Sequence, residues 1–80
     1  MIVHLYSLRS TVNRTDAVSV NVKTPQGEIT ILDHHRPLIT FVEPGAVRIV
    51  GRNGEQTAVE APRGGFVEVR PDNEVNVLLD

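Results

Sequence analysis

The chain contains no cysteine and no tryptophan. Without cysteine there is neither a disulfide framework nor a thiolate metal site, so 80 residues must be held by one apolar core and by whatever they dock on. Aromatics are scarce: one tyrosine and two phenylalanines. Charge of one sign is scarce too, with ten acids against eight bases scattered singly and a formal net charge of −2. A chain with neither a basic stripe nor an aromatic platform is not expected to bind nucleic acid. Long hydrophobic runs are missing as well. Met1-Ile2-Val3-His4-Leu5-Tyr6 is short and interrupted by His4 and Arg9, which argues against a signal peptide and a membrane-spanning helix. The expectation is a soluble, intracellular chain that reaches any membrane only through a protein partner, with no direct insertion. No internal repeat, linker or low-complexity segment stands out, and length places residues 1–80 in a single domain.

What is present is alternation. In Val18-Ser19-Val20-Asn21-Val22-Lys23 the three valines fall on one side of an extended backbone and the polar residues on the other. β-Branching suits that conformation. Val47 and Ile49 flank Arg48 in the same way; Val67 and Val69 alternate with Phe66, Glu68 and Arg70; and Val75, Val77 and Leu79 alternate with Asn76 and Leu78. Leu78 suggests burial on both faces of that last strand. Turn signals punctuate these runs: Pro25-Gln26-Gly27, Pro44-Gly45, Asn53-Gly54, Gly64-Gly65 and Pro71-Asp72-Asn73. No stretch of helical length escapes them. Asn53-Gly54 predicts a two-residue turn with positive φ at both positions, joining a hairpin of 46–51 and 56–61. The pattern predicts an all-β fold, a small flattened antiparallel sandwich or barrel of roughly eight to ten short strands.

Catalytic constellations are weak. His34 and His35, with Glu43 beyond them, superficially suggest the metal site of a small β-barrel enzyme of cupin type. Adjacent histidines on a strand point to opposite faces, whereas paired ligands need i and i+2, and His4 is far away in sequence. Ser7, Ser10 and Ser19 carry no nucleophile motif. Asn13-Arg14-Thr15 is a formal glycosylation sequon that a chain without a secretion signal is not expected to use.

The middle of the chain carries a resemblance. Gly27-Glu28-Ile29-Thr30-Ile31-Leu32 runs into Asp33-His34-His35-Arg36-Pro37-Leu38, then Pro44-Gly45-Ala46-Val47-Arg48-Ile49, and later Gly64-Gly65-Phe66-Val67-Glu68-Val69 and Asn76-Val77-Leu78-Leu79-Asp80. In order and spacing these strings resemble the epsilon subunit of F-type ATP synthase, from Val20 to Asp80; residues 1–19 fit only in length and strand-turn-strand pattern. Departures are Arg36 for the usual alanine, Glu43 for the usual lysine before Pro-Gly, and Pro62-Arg63 where small or hydroxyl residues are common. Family members continue past the Leu-Ala-Asp equivalent into a two-helix part that carries an inhibitory switch and, in some, an ATP-binding motif. The sequence stops at Asp80, so neither function is assigned to it.

The resemblance implies an accessory subunit without catalytic residues, metal or cofactor of its own. As part of the central stalk it docks on the gamma subunit and on the polar loops of the c-ring, peripherally at the cytoplasmic face of the cell membrane, and couples proton-driven rotation to ATP synthesis. By motif position Glu28 faces the c-ring loops, where a basic residue can pair with it; its plain alternative is a solvated carboxylate at a strand start. His35 and Thr40 match positions facing gamma, and Ser7 joins them; a histidine in such a turn is also an ordinary structural hydrogen-bond donor. Arg36 either pairs with an acid on the partner or is solvated. The alternative of another class is a generic sandwich-type protein-interaction module, which shares the fold but binds an unrelated partner.

Overall fold

The computed structural model describes residues 1–7 and 14–80. Among these there are eight strands and no helix: β1 Ile2–Ser7, β2 Arg14–Thr24, β3 Gly27–Leu32, β4 Leu38–Val42, β5 Gly45–Gly51, β6 Gln56–Ala61, β7 Gly65–Val69 and β8 Glu74–Leu79. They form the small all-β sandwich that the alternation predicts, flattened to 26 × 26 × 17 Å. Ser10, Asn13 and Arg9 lie outside the described residues, and with them the asparagine of the sequon.

The strand order is β4-β7-β8-β1-β2-β5-β6, with β3 pairing β2 as a branch. The long β2 serves both sheets. Its first residues, Arg14 to Asp16, pair with β1 in the first sheet, and Ser19 to Thr24 pair with β3 in the second. A bulge between Ala17 and Ser19, where β2 meets β5, marks the bend; an unpaired extra residue increases local twist and turns the strand from one layer into the other. All pairings are antiparallel except one. β1 and β8 run parallel, Val3 beside Val75 and Leu5 beside Val77, so the antiparallel expectation needs this correction: the two strands lie far apart in sequence and no hairpin ties them.

The core is the set of residues that the alternation marks, except Val18: it falls in the bulge between Ala17 and Ser19 and is only half-buried, while Ala17 is buried in the core. Val20, Val22, Val47, Ile49, Val67, Val69, Val75, Val77 and Leu79 are all buried, joined by Ile31, Val42, Val3 and Leu5. Leu78 is not: it is 47% exposed, so β8 is buried on one face only. The β5–β6 hairpin spans 45–51 and 56–61, but its loop has three residues, not two. The Gly51 amide bonds to the Glu55 carbonyl (2.7 Å) and the Gly54 amide to the Gly51 carbonyl (2.9 Å). Only Gly54 has positive φ, at 89°. Asn53 works through its side chain instead, accepting the Glu55 amide at 3.0 Å, and an Asx turn of this kind explains the Asn-Gly pair as well as a two-residue turn would.

Gly64-Gly65 is required by close approach. A Cβ on Gly64 would stand 2.0 Å from the Val42 carbonyl oxygen, and one on Gly65 would stand 1.9 Å from that of Leu78. The main chain entering β7 is pressed against β4 and β8 there, and only glycine fits.

Candidate docking interface

The two outward faces of the sandwich differ sharply in chemistry. On the second sheet Asn21 Nδ2 donates to Glu28 Oε1 (3.1 Å) and to Thr30 Oγ1 (3.0 Å), and Ser19, Lys23, Arg48 and Gln56 share the face through the register of β2, β3, β5 and β6. The first sheet instead carries an apolar row straight across four strands. Phe41 pairs with Phe66, Phe66 with Leu78, and Leu78 with Tyr6. Their exposures are 41%, 54%, 47% and 54%, and Ile39, two residues along β4, is 72% exposed. Phe41 and Phe66 meet edge to face, centroids 5.4 Å apart, which fixes both rings.

Every aromatic side chain of the protein therefore stands on this one outer face rather than in the core. The row crosses three strand spacings, about 14 Å, and a contiguous apolar band of that kind on a small domain makes this face the candidate docking surface. Below it runs a polar row, Ile39 beside Glu68, Glu68 beside Asn76, and Asn76 beside His4. Asn76 Nδ2 donates to Glu68 Oε1 (3.1 Å), and His4 Nε2 lies 2.8 Å from Glu74 Oε1.

The residues singled out by motif do not form one cluster. Glu28 is exposed at the start of β3; His35 and Arg36 follow its end, so the length of β3, about 13 Å from residue 28 to 32, separates them. The His35 loop is anchored at three points. Its amide bonds to the Leu32 carbonyl (3.1 Å), closing a turn with His34 at φ 61°. The His34 amide donates to Asn73 Oδ1 at 2.8 Å. Arg52 Nη2 reaches the Asp33 carboxylate at 3.2 Å while its Nε holds Asp16 at 3.1 Å. The amino group of Met1 also bonds to Asp33, and it, followed by Arg52, lowers the Asp33 carboxyl to about 2. His34 and His35 thus sit in a turn, not on a strand. The half-buried His35 ring donates from Nδ1 to the Arg36 carbonyl at 2.7 Å, and Arg36 is exposed. Thr40 is half-buried; its register partner is the core residue Val67, so it faces inward rather than toward the apolar row. Ser7, half-buried beside the buried Leu79, shares the inward side of β1. Among the described residues no group of three or more His, Cys, Asp or Glu side chains could hold a metal ion.

The whole described domain matches one family model, the ATP synthase delta/epsilon chain β-sandwich domain, over residues 1–80. The chain belongs to that family. Among curated proteins it is similar to the ATP synthase epsilon chain of Halalkalibacterium halodurans, 45% identical over 81% of this chain and 47% of that protein. The epsilon chain of Neisseria meningitidis is 36% identical over 100% of this chain and 56% of its own. The mitochondrial ATP synthase subunit delta of Yarrowia lipolytica is 38% identical over 86% of this chain and 42% of its own. The chain thus spans about half the length of the curated relatives it matches. In solved structures the fold recurs in the Euglena gracilis mitochondrial ATP synthase, OSCP/F1/c-ring in rotational state 1, with a TM-score of 0.86, 19% identity, and coverage of 99% of this chain and 49% of that one.

Within this delta/epsilon family frame, the apolar row is what motif reading missed. Its signal was in the sequence: the three aromatics Tyr6, Phe41 and Phe66 each occupy a strand position of outward parity, and Leu78 shares it.

Proposed function

We propose that residues 1–80 act as one non-catalytic docking unit of the rotor of an F-type ATP synthase, binding the gamma subunit and the c-ring. The observation that carries this reading is the apolar row Tyr6–Leu78–Phe66–Phe41 on a chain of the delta/epsilon family. The first sheet's outer face is the gamma side. Burying partly exposed aromatics and leucine there supplies the affinity, and Glu68, Glu74 and His4 form its polar rim. Glu28, on the second sheet and at the other end of β3 from the His35 loop, is exposed and accepts one bond from Asn21, which leaves its other oxygen to meet a basic residue of the c-ring loops in a charge-assisted pair. His35 and Arg36 add an end contact to gamma. Thr40 and Ser7, facing inward, act by shaping β4 and β1 rather than by touching gamma themselves.

The mechanical part follows from packing. A close-packed sandwich deforms little, so a load applied at one face reaches the other end without a covalent step. The domain makes and breaks no bond, and it is peripheral to the cytoplasmic face of the membrane through its partners. In the described residues no helix is long and apolar enough to cross a bilayer.

The test is a calorimetric titration of the 80-residue domain with gamma from the same source, with Glu28→Ala and His35→Ala alongside. One-to-one binding, weakened by His35→Ala and indifferent to Glu28→Ala, is expected. No binding by a folded domain would assign it instead to the generic interaction modules.

A further inference from the structure

We propose that a hollow on the outer face of the second sheet, centred on Arg48, is a binding site for a carboxylate group. It stands independently of the rotor reading, which uses the other face and Glu28. The hollow has a volume of about 310 Å³ and is lined by Ser19, Asn21, Thr30, Arg48, Gln56 and Thr57 among others. Arg48 lies mid-way along β5, opposite Asn21 of β2 on one side and Ala58 of β6 on the other. The small Ala58 side chain leaves the space beside the guanidinium open.

Of the described arginines three are ion-paired and three, Arg14, Arg36 and Arg48, are not; of the unpaired three only Arg48 stands in mid-strand with a paired strand on either side. Arg52 holds Asp16 and Asp33, Arg63 reaches Asp80, and Arg70 stands between Glu68 and Asp72. No acid of the described residues comes within ion-pair distance of Arg48. Glu28, one register pair further along the sheet, is held by Asn21 instead. The backbone of Arg48 is firmly seated, since the buried Val47 and Ile49 on either side pin β5 to the core between two bonded strands, and its exposed side chain extends outward from that base. A planar five-donor fork anchored at its base in this way, with the hydroxyls of Ser19 and Thr30 and the amide of Gln56 lining the same hollow, is complementary to a planar two-oxygen anion. Carboxylate fits it better than tetrahedral phosphate, because Arg48 is the one cation among the residues that line the hollow.

The experiment is an NMR titration of the isotope-labelled 80-residue chain with malonate, with a blocked glutamate-containing peptide, and with inorganic phosphate and chloride as controls. Saturable shifts at the Arg48 side chain and at Ser19, Asn21, Thr30 and Gln56 are expected with malonate or the peptide. Tighter binding by the peptide identifies an acidic protein segment as the source, and tighter binding by malonate a free small acid. Arg48→Gln is expected to weaken the titration by about 10- to 100-fold, Arg48→Lys less, and Arg63→Gln not at all. Shifts that persist in Arg48→Gln, or that chloride reproduces at equal ionic strength, would overturn the site. Saturable binding of phosphate but not of malonate would overturn its carboxylate selectivity.

Discussion

Replacing Phe66 by serine separates docking from folding. Phe66 is 54% exposed, so of roughly 200 Å² of side-chain surface about 110 Å² is open to a partner. At about 25 cal/mol per Å² its complete coverage is worth about 2.7 kcal/mol, or a rise of about 100-fold in Kd for gamma when it is lost. Within the domain the change removes the edge-to-face contact with Phe41, worth about 0.5–1.5 kcal/mol, and lowers the thermal midpoint by at most about 12 °C for a domain of this size. The assay is calorimetry at a temperature where both forms are fully folded. Leu32→Ser is the matched control: Leu32 is 56% exposed, but on the second sheet beside Ser19. The reasoning is refuted if Phe66→Ser binds gamma as tightly as the parent, or if Leu32→Ser is the variant that loses affinity.

Two further outcomes concern the frame that holds this face. Gly65→Ala places a Cβ 1.9 Å from the Leu78 carbonyl oxygen, so β7 must leave β8; against a total stability of about 4–12 kcal/mol for this length, thermal melting should show a chain largely unfolded or severely destabilised. Gly54→Ala, where nothing lies within 4 Å, should cost only about 1 kcal/mol of backbone strain, and equal melting of the two variants would contradict the packing argument. The Asp33 carboxyl is held at about 2 against an ordinary 3.8, first by the Met1 amino group and then by Arg52. Its contribution to stability is whole above about pH 4 and is lost as pH falls toward 2, because there the unfolded chain takes up the proton first. Asp33→Asn should flatten the acid limb of a melting-temperature profile, and an unchanged slope would show that the ion group does not hold the turn.

Local chemistry was legible in the sequence where it acts locally. The period-two valines of β2, β5, β7 and β8 reach the core except Val18, which the bulge between Ala17 and Ser19 leaves half-buried; the Gly64-Gly65 signal marks both a turn, closed by the Gly64 amide on the Ala61 carbonyl, and a close approach. What alternation cannot encode is pairing at a distance. The parallel seam between β1 and β8 joins residues more than seventy apart in sequence, and only tertiary packing selects it. Leu78 shows the same limit from the other side: hydropathy reads it as buried, but its place in the register aligns it with Phe66 and Tyr6 on the outer face. Motif reading gave Glu28 and His35 to different partners from one continuous string, but it could not give the distance between them, which the extended length of β3 sets. It also had no means of seeing that Thr40 and Ser7 face inward, since their strands carry apolar residues on both parities.

The central claim is that the apolar face of the first sheet docks gamma. Transferred cross-saturation NMR on the deuterated 80-residue domain, with gamma from the same source as the unlabelled partner, tests it residue by residue. Attenuation concentrated at Tyr6, Ile39, Phe41, Phe66 and Leu78, with Ser19, Arg48 and Gln56 spared, is the predicted result. Attenuation confined to the second sheet, or none from a domain that remains folded, would contradict it.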